Sequence, residues 1–346
     1  MGLGRAVWVM RATGRYLGVL LCFAPLLIMW LVLAPAVSRA APPGPEPAVR
    51  AVEGAPAGGS SAPAVGAVQA QAAIYVVSIS KLDLSTQSFD ASFYLFVRCE
   101  QKCSPDSWEL MNGKVTDKSL LTDTPTLKVW RVDASFSFDP DFRLYPFDHQ
   151  SLPIVIEHSN LTNSQMIYVP SLQNSGVDPA VTAPGWEIGQ FSFAESLHHY
   201  APLGETYSQL RFSVPLSRST LASISKNFVP LIIVVLLGVS TLVVARNEMQ
   251  LDGGGTALLA LTLFYVASSA AIPSVGYLTL WDEAVALGYV LLLLVLLCGV
   301  VGSYLHGEDK FEGEAGKALN KRIRFWFAIA IGVLATGGTV IIVLTA

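Results

Sequence analysis

The sequence predicts an all-β, immunoglobulin-like sandwich domain followed by a domain of four membrane-spanning helices, on three observations. The 346 residues are 52% hydrophobic and 14% charged, about half the charge of an ordinary soluble domain. Apolar residues concentrate in 16–37 and 228–346, while 73–218 has the composition of a normal globular domain. Within that middle stretch apolar and polar residues alternate with period two, whereas beyond it they form continuous runs, the marks of half-buried strands and of membrane spans. A purely soluble enzyme does not fit this distribution. The formal net charge is -4, and the first 40 residues hold four arginines and no acid, so the remainder is more acidic still. A nucleic-acid partner, which needs a basic face, is not expected.

At the N-terminus, Arg5, Arg11 and Arg15 precede an apolar core, Tyr16–Val37, and the small-residue sequence Ser38-Arg39-Ala40. This is the pattern of a secretory signal peptide (1–40) cleaved after Ala40, although the core is also long enough for an uncleaved helix. Residues 41–72 read as an Ala/Pro/Gly-rich linker in which Pro42, Pro43, Pro45, Pro47, Pro56 and Pro63 prevent regular structure. Of four cysteines, Cys22 falls in the signal and Cys298 in a membrane helix. Cys99 and Cys103 lie four apart outside the cytoplasm, where a local disulfide is favoured over two free thiols or a metal pair with other partners.

The β domain spans 73–218. Phe89, Ala91, Phe93, Leu95 and Val97 share one face of a strand, as do Val132, Ala134, Phe136 and Phe138 of another. Further strands are expected at Ile74–Ser80, Leu152–Glu157, Trp186–Phe193 and Gln209–Leu216, spaced as in an antiparallel sandwich. The membrane domain spans 219–346, with helices at about 219–246, 250–272, 282–305 and 322–346. The loop 306–324 carries Lys310, Lys317, Lys321, Arg322 and Arg324, while Pro273–Glu283 has no Lys or Arg. The positive-inside rule therefore places both termini on the periplasmic or extracellular side of a plasma (inner) membrane.

The second membrane segment differs from the other three. Glu248, Asp252, Thr256, Leu259, Leu263, Val266 and Ala270 follow one another at steps of four and three, along one helical face. The stripe is acidic at its cytoplasmic end, then hydroxylic, then apolar. Carboxylates at a bilayer margin need water or a partner, which favours a water-lined path. Several copies around an axis turn Glu248 and Asp252 into cation-attracting rings and Leu259 and Leu263 into constrictions that gate by dewetting. The competing reading places Glu248 and Asp252 in a cytoplasmic turn, with the helix starting late at Gly253-Gly254-Gly255.

The segment Phe142-Arg143-Leu144-Tyr145-Pro146-Phe147-Asp148-His149-Gln150 resembles the signature loop of the pentameric ligand-gated ion channels (Cys-loop receptor superfamily), in the prokaryotic style without flanking cysteines. Pro184-Gly185-Trp186-Glu187-Ile188, Arg218 before the membrane, Pro230 in the first helix and Ile272-Pro273 with Tyr277-Leu278-Thr279 after the second match that family in order. The resemblance, over roughly 74–98 and 108–346, implies a homopentameric ligand-gated channel in a lipid bilayer that passes monovalent cations, with Leu259 at the hydrophobic gate. It also implies that Asp148 pairs with Arg218 and that Tyr145, Pro146 and Phe147 bear on Pro273 and Tyr277, coupling ligand binding to the pore. Between Arg98 and Trp108 the chain is shorter than the family pattern, so the sandwich is expected to be truncated there. Met249 stands where many cation channels carry an acid, so cation preference is read from Glu248 and Asp252.

Candidate ligand-site residues are Trp108, His158, Tyr200 and Tyr207, whose aromatic faces suit an amine by cation–π contact. His158, His198 and His199 are expected in exposed loops, and imidazole is the side chain type that ordinarily changes charge near neutral pH. The agonist is expected to be a small molecule, a proton or a divalent ion. Acidic residues outnumber basic ones in 73–218, so calcium modulation is open, and no other cofactor or resident metal is implied. No phosphate-binding, zinc-protease or serine-hydrolase motif is present in the sequence. The alternative to a channel is a non-conducting, membrane-anchored periplasmic sensor on the same fold, for which the glycine run and the shortened ectodomain argue.

Overall fold

The computed structural model describes residues 67–99, 106–243, 247–270, 272–307 and 314–345. The signal segment and most of the linker lie outside these, as does Cys103. The described chain forms a β unit (to Asp141, then Asp148–Ser219) and a helical unit (Phe142–Phe147 and from Thr220).

The β unit is a sandwich of two sheets. The first runs β4 (Gly113–Asp123), β5 (Leu127–Ser137), β2 (Ser88–Cys99), β1 (Val68–Asp83) and β7 (Met166–Pro170), with β8 (Gly176–Val177) also pairing with β1. The second runs β10 (Ser192–Tyr200), β11 (Glu205–Arg218), β6 (His149–His158) and β3 (Trp108–Leu110), with β9 (Trp186–Ile188) against β11. The alternation read in β2 and β5 sends Phe89, Phe93, Leu95, Val132 and Phe136 into the core, where they meet Ile154, Ile156, Leu210 and Phe212 of the second sheet. Asn112 ties the sheets together. Its Nδ2 donates to the carbonyls of Ser137 (3.0 Å) and Pro153 (2.8 Å), and its Oδ1 accepts from Val155 N at 3.0 Å.

Two boundaries differ from expectation. β1 begins at Val68, inside the expected linker, because Ala70 and Ala72 alternate with Gln69 and Gln71 and are fully buried. A small apolar residue at every second position is a strand pattern that the alanine-rich composition conceals. The segment expected to be shortened falls largely on 100–105, outside the described residues. Just before it, Cys99 ends β2, buried and disulfide-bonded.

The helical unit comprises α1 (Thr220–Ser223), a π turn (Ile224–Phe228), α2 (Val229–Ser240), α3 (Asn247–Ser269), α4 (Leu280–Gly307) and α5 (Glu314–Thr345). Four helical segments, Thr220–Val243, Met249–Ser269, Leu280–Tyr304 and Ala318–Ile342, are long and apolar enough to cross a membrane. The chain is thus a multi-pass membrane protein by length and composition. The π turn lies immediately before Pro230, whose missing N–H deprives the helix of one donor. α3 ends three residues short of the expected limit, and α5 begins eight residues early. The charged first turns of α5, from Glu314 to Arg324, form helix without the apolar signal by which spans are recognised.

The glycine run does not delay α3, which starts at Asn247 and passes straight through it. A Cβ at Gly253 would lie 2.6 Å from Thr241 Cγ2, and one at Gly254 2.9 Å from Leu296 Cδ2. The glycines therefore let the inner end of α3 pack against its neighbours closer than any side chain allows. Replacing both by alanine overpacks two contacts and should cost about 1–3 kcal/mol. It should read as a lower melting midpoint of the purified protein, and an unchanged midpoint would contradict this packing role.

Candidate pore helix, signature loop and sandwich face

α3 has two dissimilar faces. Gln250, Ala257 and Leu261 are buried against α2 and α4, with Gly254 between them. Opposite them Leu259, Leu263 and Val266 are 61%, 64% and 62% exposed. Asp252, Thr256 and Ala270 are exposed on the same line. Glu248 belongs to the first turn of α3, and its side chain lies outside the described residues. The Thr256 hydroxyl donates to the Asp252 carbonyl at 2.8 Å, which spends its proton and leaves its lone pairs outward.

The outer end of α3 is anchored to α4. Tyr265 donates to Asp282 Oδ1 at 2.9 Å, and Trp281 Nε1 donates to Ser268 Oγ at 3.1 Å. Asp282 also closes a capping box: its Oδ2 accepts from Thr279 N (2.9 Å) and Oγ1 (2.8 Å), while its own N–H donates to Thr279 Oγ1 at 3.1 Å. Sequence reasoning missed Tyr265, Trp281 and Asp282, although Thr279-x-x-Asp282 is a readable capping signal.

The signature loop splits between the two units. Phe142–Phe147 counts with the helices, where it satisfies the start of α4. Helices begin with unpaired N–H groups. Leu280 N donates to Arg143 O at 2.9 Å and Trp281 N to Tyr145 O at 3.1 Å. Tyr277 returns the contact, its hydroxyl accepting from Phe142 N at 3.0 Å. Phe147 stacks on Phe228 (5.4 Å between centroids), and Phe228 meets the wholly buried Trp281 edge-on. Pro146 follows a cis peptide bond, and Pro273 is partly exposed in the connection after α3.

Asp148 belongs to the β unit, its side chain fully buried. It accepts from Arg218 Nε at 2.8 Å, Arg218 Nη2 at 3.3 Å and Gln150 Nε2 at 2.7 Å. The Arg218 guanidinium lies 4.3 Å from the Trp186 ring centroid, so the indole covers it while Asp148 pairs with its nitrogens. The tight turn that delivers Trp186 uses Gly185 at φ +85.

The four ligand-site candidates fall into two pairs, Trp108 opposite His158 in the β3–β6 ladder and Tyr200 with Tyr207. Trp108 is buried in the sandwich, edge-on to Trp130 at 5.8 Å, with Lys118 Nζ 4.1 Å from its ring centroid. Burial there pushes the Lys118 ammonium below its ordinary pKa. His158 is also buried, contrary to the exposed-loop expectation: its Nδ1 accepts from Asn160 N (3.1 Å) and Leu161 N (2.9 Å), so it shapes the turn that leaves β6. His198 and His199 stand on β10 rather than in a loop, because the β10–β11 ladder continues to Tyr200↔Glu205.

Tyr200 and Tyr207 do meet, edge-on at 5.7 Å. Burial, then the nearby Glu157 charge and hydrogen bond, raise the Tyr200 phenol above its usual pKa. Tyr207 donates to Glu205 at 2.5 Å, the first cause of its own upward shift. Sequence reasoning missed Glu157 and Gln209, which sit beside these tyrosines. Glu157 is buried at 2% exposure on a face that period two alone marks as outward.

No family model matches the chain. A proton-gated ion channel from Gloeobacter violaceus is 22% identical to it over 214 residues, 62% of this chain and 60% of that protein. The chain thus matches about three fifths of that relative's length. The resemblance to the pentameric ligand-gated channels holds on this similarity together with the architecture, a β-sandwich followed by four membrane-length helices.

Proposed function

We propose that the chain is one protomer of a homopentameric ligand-gated channel whose α3 helices line a cation-preferring pore. The observation that carries the reading is the two-faced α3: its packed side is sealed by glycine and alanine contacts, while Asp252, Thr256, Leu259, Leu263 and Val266 stand exposed in one line. Five such lines around an axis give an acidic inner mouth, completed by Glu248, then a hydroxyl ring, then apolar rings that dewet. The glycine run, which spoke for a non-conducting sensor, has a packing explanation.

Coupling runs through groups already paired. Asp148 and Arg218 fix the end of β11, and the carbonyls of Arg143 and Tyr145 cap α4, which holds the outer end of α3 through Asp282. Tyr277→Phe removes the acceptor of Phe142 N–H, worth about 1 kcal/mol, and should raise the agonist concentration for half-activation several-fold in dose–response currents. An unmoved curve would contradict a coupling role for Tyr277.

The ectodomain lies on the periplasmic side of the inner membrane in this reading, which the basic residues between the third and fourth spans support. Protons are the proposed agonist, supported by the proton-gated relative. An amine held by Tyr200 and Tyr207 is the second choice, and calcium at the acidic ectodomain a modulator. Native mass spectrometry of the purified protein should give five copies, and bilayers containing it should carry current on acidification. A pentamer silent to acid, calcium and amines, both as wild type and as Leu259→Ser, would decide for the sensor.

A further inference from the structure

We propose that His198, Gln209 and Glu157 form a proton-operated switch on the outward face of the second sheet, in which protonation of His198 replaces an amide bridge with a direct imidazolium–carboxylate pair. The inference rests on the channel reading and supplies its acid-sensing element.

The three residues lie on three successive strands, β10, β11 and β6. Gln209 stands opposite Glu157 in the ladder. Its Nε2 is 3.2 Å from Glu157 Oε2 and 3.2 Å from His198 Nδ1. A carboxylate only accepts, so the amide must turn its NH2 toward Glu157, and the second N–H then points at His198. This geometry fits Nδ1 as an acceptor, the role it has in the neutral tautomer that carries its proton on Nε2. The arrangement is satisfied only in that state. A proton added at Nδ1 sets one N–H against another at the 3.2 Å contact, and Gln209 must give way.

The replacement partner is already in place. Glu157 Oε2 lies 3.8 Å from His198 Nδ1; the carboxylate side chain is 3% exposed and the imidazole 46%, so a pair formed there is shielded from solvent on the carboxylate side. The His198 ring stacks on Tyr200 at 4.4 Å and 20°, where an imidazolium also gains cation–π attraction. Tyr200 in turn interacts electrostatically with Glu157. Imidazole is the side chain whose charge ordinarily changes between about pH 5 and 8.

The charged and titratable surroundings are as follows. From β3, Glu109 stands directly opposite Glu157. From β11 come Glu205, held by Tyr207, and the exposed Arg211, which pairs with Val155 and Ala194. From β7 comes the buried Tyr168 phenol, which interacts electrostatically with Glu157. Glu195 of β10 bonds Ser208, and His199 bonds Thr206, each displaced by one residue from the outward face and so directed to the other. The pair draws β10 toward β6 across β11. Gln209 and Arg218 lie on that one strand, nine residues and about 30 Å apart, so the switch acts on the strand that carries the Asp148 partner.

Hydrogen exchange on the full-length protein in lipid nanodiscs tests the switch without needing current. At about pH 5, amides of 196–209 should exchange at least about fivefold more slowly in wild type than in His198→Gln, and at about pH 7.5 the two should match. Glu157→Gln should abolish the acid difference as His198→Gln does. In bilayers, His198→Gln should move the proton concentration for half-activation by at least about fivefold. Equal exchange at both pH values, with acid-evoked current unmoved by His198→Gln, overturns the switch and leaves the channel reading standing. An exchange difference in a protein that never conducts sustains the switch and overturns the channel reading.

Discussion

Leu259→Ser should give a channel that opens without agonist and responds to about tenfold less of it. The side chain is 61% exposed on α3, and in the proposed pore it contributes an apolar gating ring. Exchanging a Leu for a hydroxyl withdraws about 1.5–3 kcal/mol of apolar transfer energy per copy. One such increment is enough for tenfold in an opening equilibrium, where each factor of ten needs about 1.4 kcal/mol. Two residues away, Leu261 is wholly buried and would touch any Cβ added at Gly288. Leu261→Ser should therefore damage packing rather than gating, lowering the yield of assembled protein while leaving the surviving channels closed at rest. Single-channel recording beside size-exclusion yield separates the two. If Leu261→Ser opens the channel and Leu259→Ser does not, the pore face of α3 has been assigned to the wrong side.

Asp148→Asn should cost the β unit about 3 kcal/mol, and Arg218→Ala a similar amount, because each leaves the partner's charge desolvated without a counterion. The carboxylate is fully buried and takes three hydrogen bonds, two of them from Arg218. Arg218→Lys should not rescue, since a lysine loses the second donor and the planar stack on Trp186. The double variant Asp148→Asn/Arg218→Ala should be less destabilised than the sum of the singles, a coupling that a double-mutant cycle on thermal midpoints measures. Additive losses would show that the pair is not a unit. Strongly reduced agonist response in any single variant that still assembles would place the pair in coupling as well as in stability.

Much of this was legible in the sequence because it rests on periodicity. The alternation in β2 and β5 and the four-and-three spacing on α3 are one-dimensional records of which face meets the core. What escaped notice depends on contacts between strands. Glu157 reads as an outward strand residue and is buried, with Gln209 of β11 and His198 of β10 beside its carboxylate and Glu109 of β3 opposite it. Trp108 reads as a ligand aromatic and is taken by Trp130 and Lys118, a partnership that no local spacing encodes. Composition misled in both directions. The alanines of β1 have the composition of a linker, and the run Gly253–Gly255 that of a helix break, yet Gly253 and Gly254 serve close helix packing. The Thr279–Asp282 capping box, by contrast, is a local signal, legible in the spacing of two residues.

The central claim, a cation-preferring pore lined by α3, is tested most directly by the reversal potential of currents through the reconstituted protein under a salt gradient. Reversal is expected near the equilibrium potential of the permeant cation, moving toward zero in the double variant Glu248→Gln/Asp252→Asn, whose acidic rings are neutral. Reversal near the anion equilibrium potential, or a cation preference that the double variant leaves untouched, would contradict it.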